Sequence, residues 1–125
     1  MISRDRAKDA AGSSAPPLAA PWAVVRVAGP SMSPTVRPGD RLLVRRVRSA
    51  DAVRTGDVVV ARLPSRPGLL VVKRVRRAVP GGHWVEGDNP FVRDDSRQYG
   101  NAVVVGRVVA RLWPGPGRLP RRTPH

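Results

Sequence analysis

The residues able to do chemistry fall in three segments. The first, Ala28-Gly-Pro-Ser-Met-Ser-Pro-Thr-Val-Arg-Pro-Gly-Asp40, holds three prolines and two glycines. Backbone of that composition is stiff and angular. Such a loop can hold a hydroxyl at a fixed angle, with backbone N–H groups beside it as an oxyanion site. Ser31 and Ser33 both qualify, and an ordinary Pro/Gly turn between strands has the same composition.

The second segment is Leu70-Val-Val-Lys-Arg-Val-Arg-Arg77. Alternation along a strand puts Lys73 on the face of Val71 and Val75, with Leu70, Val72, Arg74 and Arg76 on the other. An amine between two valines is a candidate for desolvation, which favours its neutral form. Neutral lysine accepts a proton, whereas arginine, with a pKa above about 12, does not. The same spacing also suits a half-exposed strand lysine. A serine nucleophile needs a base at neutral pH. The only histidines are His83 and the terminal His125, and there is no cysteine. A Ser–Lys dyad is therefore the economical arrangement.

The third segment, Gly87-Asp-Asn-Pro-Phe-Val-Arg-Asp-Asp-Ser-Arg-Gln-Tyr-Gly100, is rich in turn residues. Asp95 and Arg97 are spaced for a charge-assisted pair that fixes the loop. Its acids lack the alternating oxygen ligands and closing Glu of a calcium loop, so bracing is the expectation and no metal is assigned. The lack of cysteine excludes disulfides, thiol catalysis and thiolate zinc sites. No cofactor is expected.

The elements that must position these segments read as strands. Short β-branched runs separated by Pro and Gly predict strands over Ala23–Val27, Arg41–Val47, Asp57–Leu63, Leu69–Val79, Trp84–Glu86 and Ala102–Trp113. No window has a convincing helical period, and no internal repeat is evident. The expected fold is all-β, a small antiparallel sheet or barrel-like core in one domain, residues 21–113. Residues 1–20 read as a disordered arm and 114–125 as a flexible Pro/Arg-rich tail. The uncharged stretch from Ala10 to Val25 is too short and too Pro-rich for a membrane helix. A soluble, cytoplasmic protein without a membrane anchor is the expectation.

Net charge is +14 over 125 residues, with 23 Lys+Arg against 9 Asp+Glu. Such a balance suggests a nucleic-acid or anionic-surface binder. The arginines are scattered along the chain, however, and aromatics make up only 4%, too few for base stacking. No specific nucleic-acid partner is assigned. A non-catalytic basic module stays as the rival reading.

Taken together, the segments resemble the serine-lysine peptidases of the signal peptidase I class. The matches are Gly-Pro-Ser-Met-Ser-Pro-Thr (29–35), Pro-Gly-Asp (38–40), Gly-Asp-Val-Val-Val (56–60), Val-Val-Lys-Arg-Val (71–75), Gly-Asp-Asn (87–89) and Asp-Ser-Arg (95–97) with Gly100. They span about Val25 to Val109. The resemblance implies Ser31 as nucleophile, Lys73 as general base and Ser33 at a variable position. It implies an oxyanion and substrate-binding region at Gly29, Pro30 and Met32, and structural support from Asp88, Asp95 and Arg97. Many relatives carry a hydroxyl residue beside the lysine where this chain has Arg93. The compact form is similar to the nickel-type superoxide dismutase maturation proteases. This implies a precursor with an N-terminal leader as partner, with general signal-peptidase-like processing as the alternative.

Overall fold

The computed structural model describes residues 2–4, 20–49, 52–66, 68–92 and 95–119. Seven strands form one antiparallel sheet: β1 (Ile2–Arg4), β2 (Trp22–Val27), β3 (Arg41–Arg46), β4 (Val58–Arg62), β5 (Leu70–Val79), β6 (Gly82–Glu86) and β7 (Val103–Trp113). Their spatial order is β1-β2-β3-β7-β4-β5-β6. The all-β expectation holds, and the six predicted strands form within a residue or two of their expected bounds. β1 also approaches β5, and His83 bridges Ala102 beside β7, so the sheet curls towards closure.

β4 and the first half of β5 are buried on both faces, which explains the unbroken apolar run Val58–Ala61 and the apolar start Leu70–Val72 of β5. One apolar cluster contains Val25, Val27, Met32, Val36, Leu42, Val44, Val60 and Val72. A second contains Val59, Ala61, Val71, Val75, Val85 and Ala102. The odd residues of β5 thus face one cluster and the even ones the other.

Two turns of the same design deliver β3 and β4. In Arg37-Pro-Gly-Asp40 and Arg54-Thr-Gly-Asp57 the Asp carboxylate accepts the Arg backbone N–H at 2.9 Å. The Asp N–H returns to the Arg carbonyl at 3.0 Å in both. Gly39 and Gly56 both sit at φ +93°, a conformation that L side chains resist. The sequence shows no repeat because only Gly and Asp are shared with the leading Arg, and the likeness lies in the backbone.

Three departures from expectation concern short elements. Ile2–Arg4, inside the stretch read as a disordered arm, pairs with Val25–Val27 of β2, while residues 5–19 lie outside the described residues. The tail begins with structure: the Arg111 N–H donates to Gly117 O at 2.8 Å, and its Nε to Gly115 O at 2.8 Å. Leu119 packs on the first cluster. Pro and Gly end a strand but also reverse it, which the flexible-tail reading overlooked; residues 120–125 lie outside the described residues. Finally, Ser96–Tyr99 form a short helix, α1, capped by Asp95, whose carboxylate accepts the Arg97 N–H.

Burial alone would raise the Asp95 carboxyl. The Arg97 guanidinium and the N–H groups of Gly87 and Arg97 outweigh it and hold that pKa below its ordinary value. Burial pushes His83 below the usual histidine value. In both cases the unfolded chain binds the proton more tightly, so stability falls as pH falls. The His83 contribution is complete above about pH 6.5 and lost below it; the Asp95 contribution is complete above about pH 3.9 and lost in stronger acid. Denaturant titrations against pH should show both limbs, with His83→Gln flattening the upper and Asp95→Asn the lower. Asp95→Asn should also cost about 1–3 kcal/mol at neutral pH. A Cβ on Gly39 would meet nothing within 4 Å. Gly39→Ala should therefore lose about 1–2 kcal/mol from backbone strain alone, read as a lower denaturation midpoint with unchanged slope.

Candidate active site

The loop between β2 and β3 is closed at its base by two backbone bonds, Val27 N–H to Asp40 O at 2.9 Å and Gly39 N–H to Val27 O at 2.8 Å. Inside it, Ser33 N–H donates to Pro30 O and Val36 N–H to Met32 O. Met32 and Val36 sink into the first apolar cluster and anchor the loop. Ser31 is 3% exposed, Ser33 half-buried, Gly29 half-buried and Pro30 exposed. Met32, assigned to the oxyanion and substrate-binding region, turns its side chain into the core. Its sulfur accepts the Asp88 N–H at 3.3 Å.

A second segment, Gly87-Asp-Asn89, leaves the end of β6 and lies against this loop. The Asn89 N–H donates to Ser31 O at 2.9 Å and its side-chain amide to Pro30 O at 3.0 Å. Gly87 approaches so closely that a Cβ there would stand 2.4 Å from Ser31 O and 3.3 Å from Ser31 Cβ. Only glycine fits this contact. The last rung between β5 and β6 pairs Arg74 with Glu86. One residue beyond it on each strand stand Lys73 and Gly87, so the Ser31 loop rests where Lys73 leaves the β5–β6 ladder.

Asp88 fixes the segment. Its carboxylate accepts Arg74 Nε at 2.9 Å, Arg74 NH2 at 2.7 Å and the Thr35 hydroxyl at 2.6 Å. The third arm of Arg74 reaches Gly56 O at 2.8 Å. Asp95 holds the other side, accepting the Gly87 N–H at 2.8 Å and a two-pronged bond from Arg97 at 3.0 and 2.7 Å. Arg97 in turn ties Val92 O at 3.1 Å.

Lys73 is wholly buried. It pairs in register with Val59 and shares its face with Val71 and Val75, all members of the second apolar cluster. His83 lies four residues back along β6 from Gly87, about 13 Å of strand, and is bound to Ala102 through the backbone. It stands apart from Ser31. Arg93 lies outside the described residues.

The structure brings Ser31, Lys73, Asp88, Asp95 and Arg97 to one region, along with Arg74, Thr35, Gly87 and Asn89, which the sequence reading placed in motifs but gave no role. Arg74 carried one usable signal. An arginine at an inward strand position, level with Val72, requires a buried acid.

Residues 16–83 match the family model described as signal peptidase, peptidase S26. Mitochondrial inner membrane protease subunit 1 of Xenopus tropicalis is 36% identical over 115 residues, covering 73% of this chain and 69% of that protein. The Schizosaccharomyces pombe subunit 1 is 34% identical, covering 74% of each. Subunit 2 of Saccharomyces cerevisiae is 27% identical, covering 73% of this chain and 68% of that protein. These names put the relatives at a membrane, which corrects the cytoplasmic expectation. That expectation leaned on the lack of a long apolar helix, a weak ground for placing a protein. The relatives also give the nickel-type subfamily no support. On the family match and on these identities, the chain belongs to the S26 signal peptidase family.

Proposed function

We propose that this chain is a serine endopeptidase that removes an N-terminal leader from a precursor protein, with Ser31 as nucleophile and Lys73 as base. The observation that carries the reading is the fit of Gly87 against Ser31, which seats a stiff serine loop at the end of the β5–β6 ladder, beside the buried Lys73 of β5. Ser31 Oγ attacks the scissile carbonyl while the Lys73 amine, acting as general base, takes its proton. Lys73 then returns that proton to the leaving amine, and an acyl-enzyme forms on Ser31. Water, deprotonated by Lys73, breaks the ester and frees the serine. The Ser31 N–H and the backbone near Gly29 would receive the oxyanion. Asp88, Asp95 and Arg97 act through Gly87 and the loop and touch no reacting atom.

The edge of β5 at Leu70–Val72, ahead of Lys73, pairs with β4 on one side and lies beyond the β6 ladder on the other. An extended leader would add there by main-chain hydrogen bonds. The relatives are named as inner membrane protease subunits. We carry from them that this chain works beside a membrane as a protease. The finer expectation, a nickel-type superoxide dismutase precursor, is one substrate arm of the test.

Cleavage of fluorogenic leader peptides, one from a membrane-delivered precursor and one from a nickel-type superoxide dismutase precursor, decides between the two. Ser31→Ala and Lys73→Arg should each fold and lose at least about 10³-fold in kcat/KM. Ser33→Ala should keep most of it. Gly87→Ala should lose about 10²-fold by displacing Ser31. Near-normal cleavage by folded Lys73→Arg would overturn the dyad, and loss in Ser33→Ala with retention in Ser31→Ala would reassign the nucleophile.

A further inference from the structure

The turn Asn89-Pro-Phe-Val92 stands beside the serine loop and is braced at both ends. At one end the Asn89 N–H donates to Ser31 O at 2.9 Å and its side-chain amide to Pro30 O at 3.0 Å. The Asn89 side-chain carbonyl accepts the Phe91 N–H at 2.9 Å, and its main-chain carbonyl accepts the Val92 N–H at 3.2 Å. At the other end Arg97, paired with Asp95, ties Val92 O at 3.1 Å. One side-chain amide thus joins the backbone of Phe91 to that of Pro30, next to Ser31.

Phe91 is the only phenylalanine of the chain, and its side chain stands in water with the residue 92% exposed. Single apolar residues on a surface are ordinary, but the other large ones differ from it. Trp22 and Trp113 are 46% and 58% exposed, and Arg45 and Arg41 lie over their rings. Leu112 is 40% exposed and belongs to β7. A loose loop would let the Phe91 ring fold back onto the surface, whereas the bonds just described hold its backbone in place. An aromatic side chain offers a large apolar area, and fixing it before contact lowers the cost of binding.

Its place tells which part of a substrate it meets. A leader on the free edge at Leu70–Val72 ends at Lys73, because from Arg74 onward that side of β5 is taken by Glu86 and the rest of β6. The chain beyond the cut bond therefore has no ladder to continue on. It leaves past Ser31, where Gly87 and Asn89 lie against the serine loop. The second and third residues after the bond reach about 7–11 Å from it. Pro30 O and the Phe91 N–H are two hydrogen bonds and one amide apart, a distance of that order.

Resting on the peptidase reading above, we propose that Phe91 is a specificity-determining residue. It receives an apolar side chain two or three residues beyond the cut bond, at the start of the released protein.

The test takes the fluorogenic leader peptide that the wild type cleaves better and remakes it with Leu or Ser at the second and third residues after the cut bond. Both are neutral, so the net charge of +14 does not separate them. The wild type should cleave the Leu peptide about ten-fold better in kcat/KM. Phe91→Ala should bring that ratio close to one, and Phe91→Leu should keep most of it. Leu or Ser placed at two residues ahead of the bond should be discriminated equally by the wild type and Phe91→Ala. Phe91→Ala should melt with the wild type, since the exposed ring packs on little. An unchanged ratio in Phe91→Ala, an equal loss with both peptides, or a change confined to the leader side would overturn the inference while leaving the peptidase reading in place. If the wild type cleaves no leader peptide, or Ser31→Ala cleaves as fast as the wild type, the peptidase reading falls and this inference with it.

Discussion

The site hangs on one buried ion pair. The side chains of Arg74 and Asp88 are 0% and 1% exposed and meet at 2.7 Å. Two charges taken out of water are stable only when every arm is used, and here they are. Arg74 spends two arms on Asp88 and one on Gly56 O, while Asp88 also accepts Thr35. Four separate pieces of chain meet at this knot: β5, the turn ahead of β4, the serine loop and the segment after β6. Removing one partner leaves a buried charge alone, typically at about 3–5 kcal/mol. Replacing both by apolar groups could leave stability nearly intact, yet nothing would then aim Asp88 at Thr35. The pair is better understood as fixing geometry than as supplying stability.

Its placement explains the neighbouring lysine. On a strand, adjacent residues face opposite ways. With Arg74 committed to Asp88 on one side, Lys73 has to point into the other apolar cluster, among Val71, Val75 and Val59. A basic pair that looks redundant in sequence is therefore divided by the pleat into a structural cation and a catalytic candidate. Exchange of the two would not be conservative, because an arginine's planar fork and a lysine's single ammonium differ in geometry and in the chemistry they can do.

The strands were legible because their valine runs are long and punctuated by Pro and Gly. β1 was not, since Ile-Ser-Arg carries no alternation of its own and is a strand only because the β2 edge accepts it. α1 was hidden for a similar reason: four residues form a turn of helix when Asp95 caps it, and the cap also serves Gly87 and Arg97. In the site, the serine and lysine could be picked out by type, whereas the contacts joining them could not. Thr35 and Asp88 are separated by 53 residues, and Arg74 and Asp88 by 14. Met32, placed by its motif in the oxyanion and substrate-binding region, has a side chain that is an anchor in the core.

The same limit governs the charge. Along the sequence the arginines look evenly scattered, and scattering argued against a footprint. Antiparallel register regroups them: Arg74, Arg97 and Arg111 are drawn into the interior network, while Arg26, Arg41, Arg45 and Arg107, up to 81 positions apart by their numbers, line up on one outer face. The strands of that face, β2 and β3, are also the two that carry the serine loop, closed at its base through Val27, Gly39 and Asp40. No hinge intervenes, because the loop is held at its base by backbone bonds and at its tip by Gly87 and Asn89. These strands thereby fix where Ser31 stands relative to that outer face.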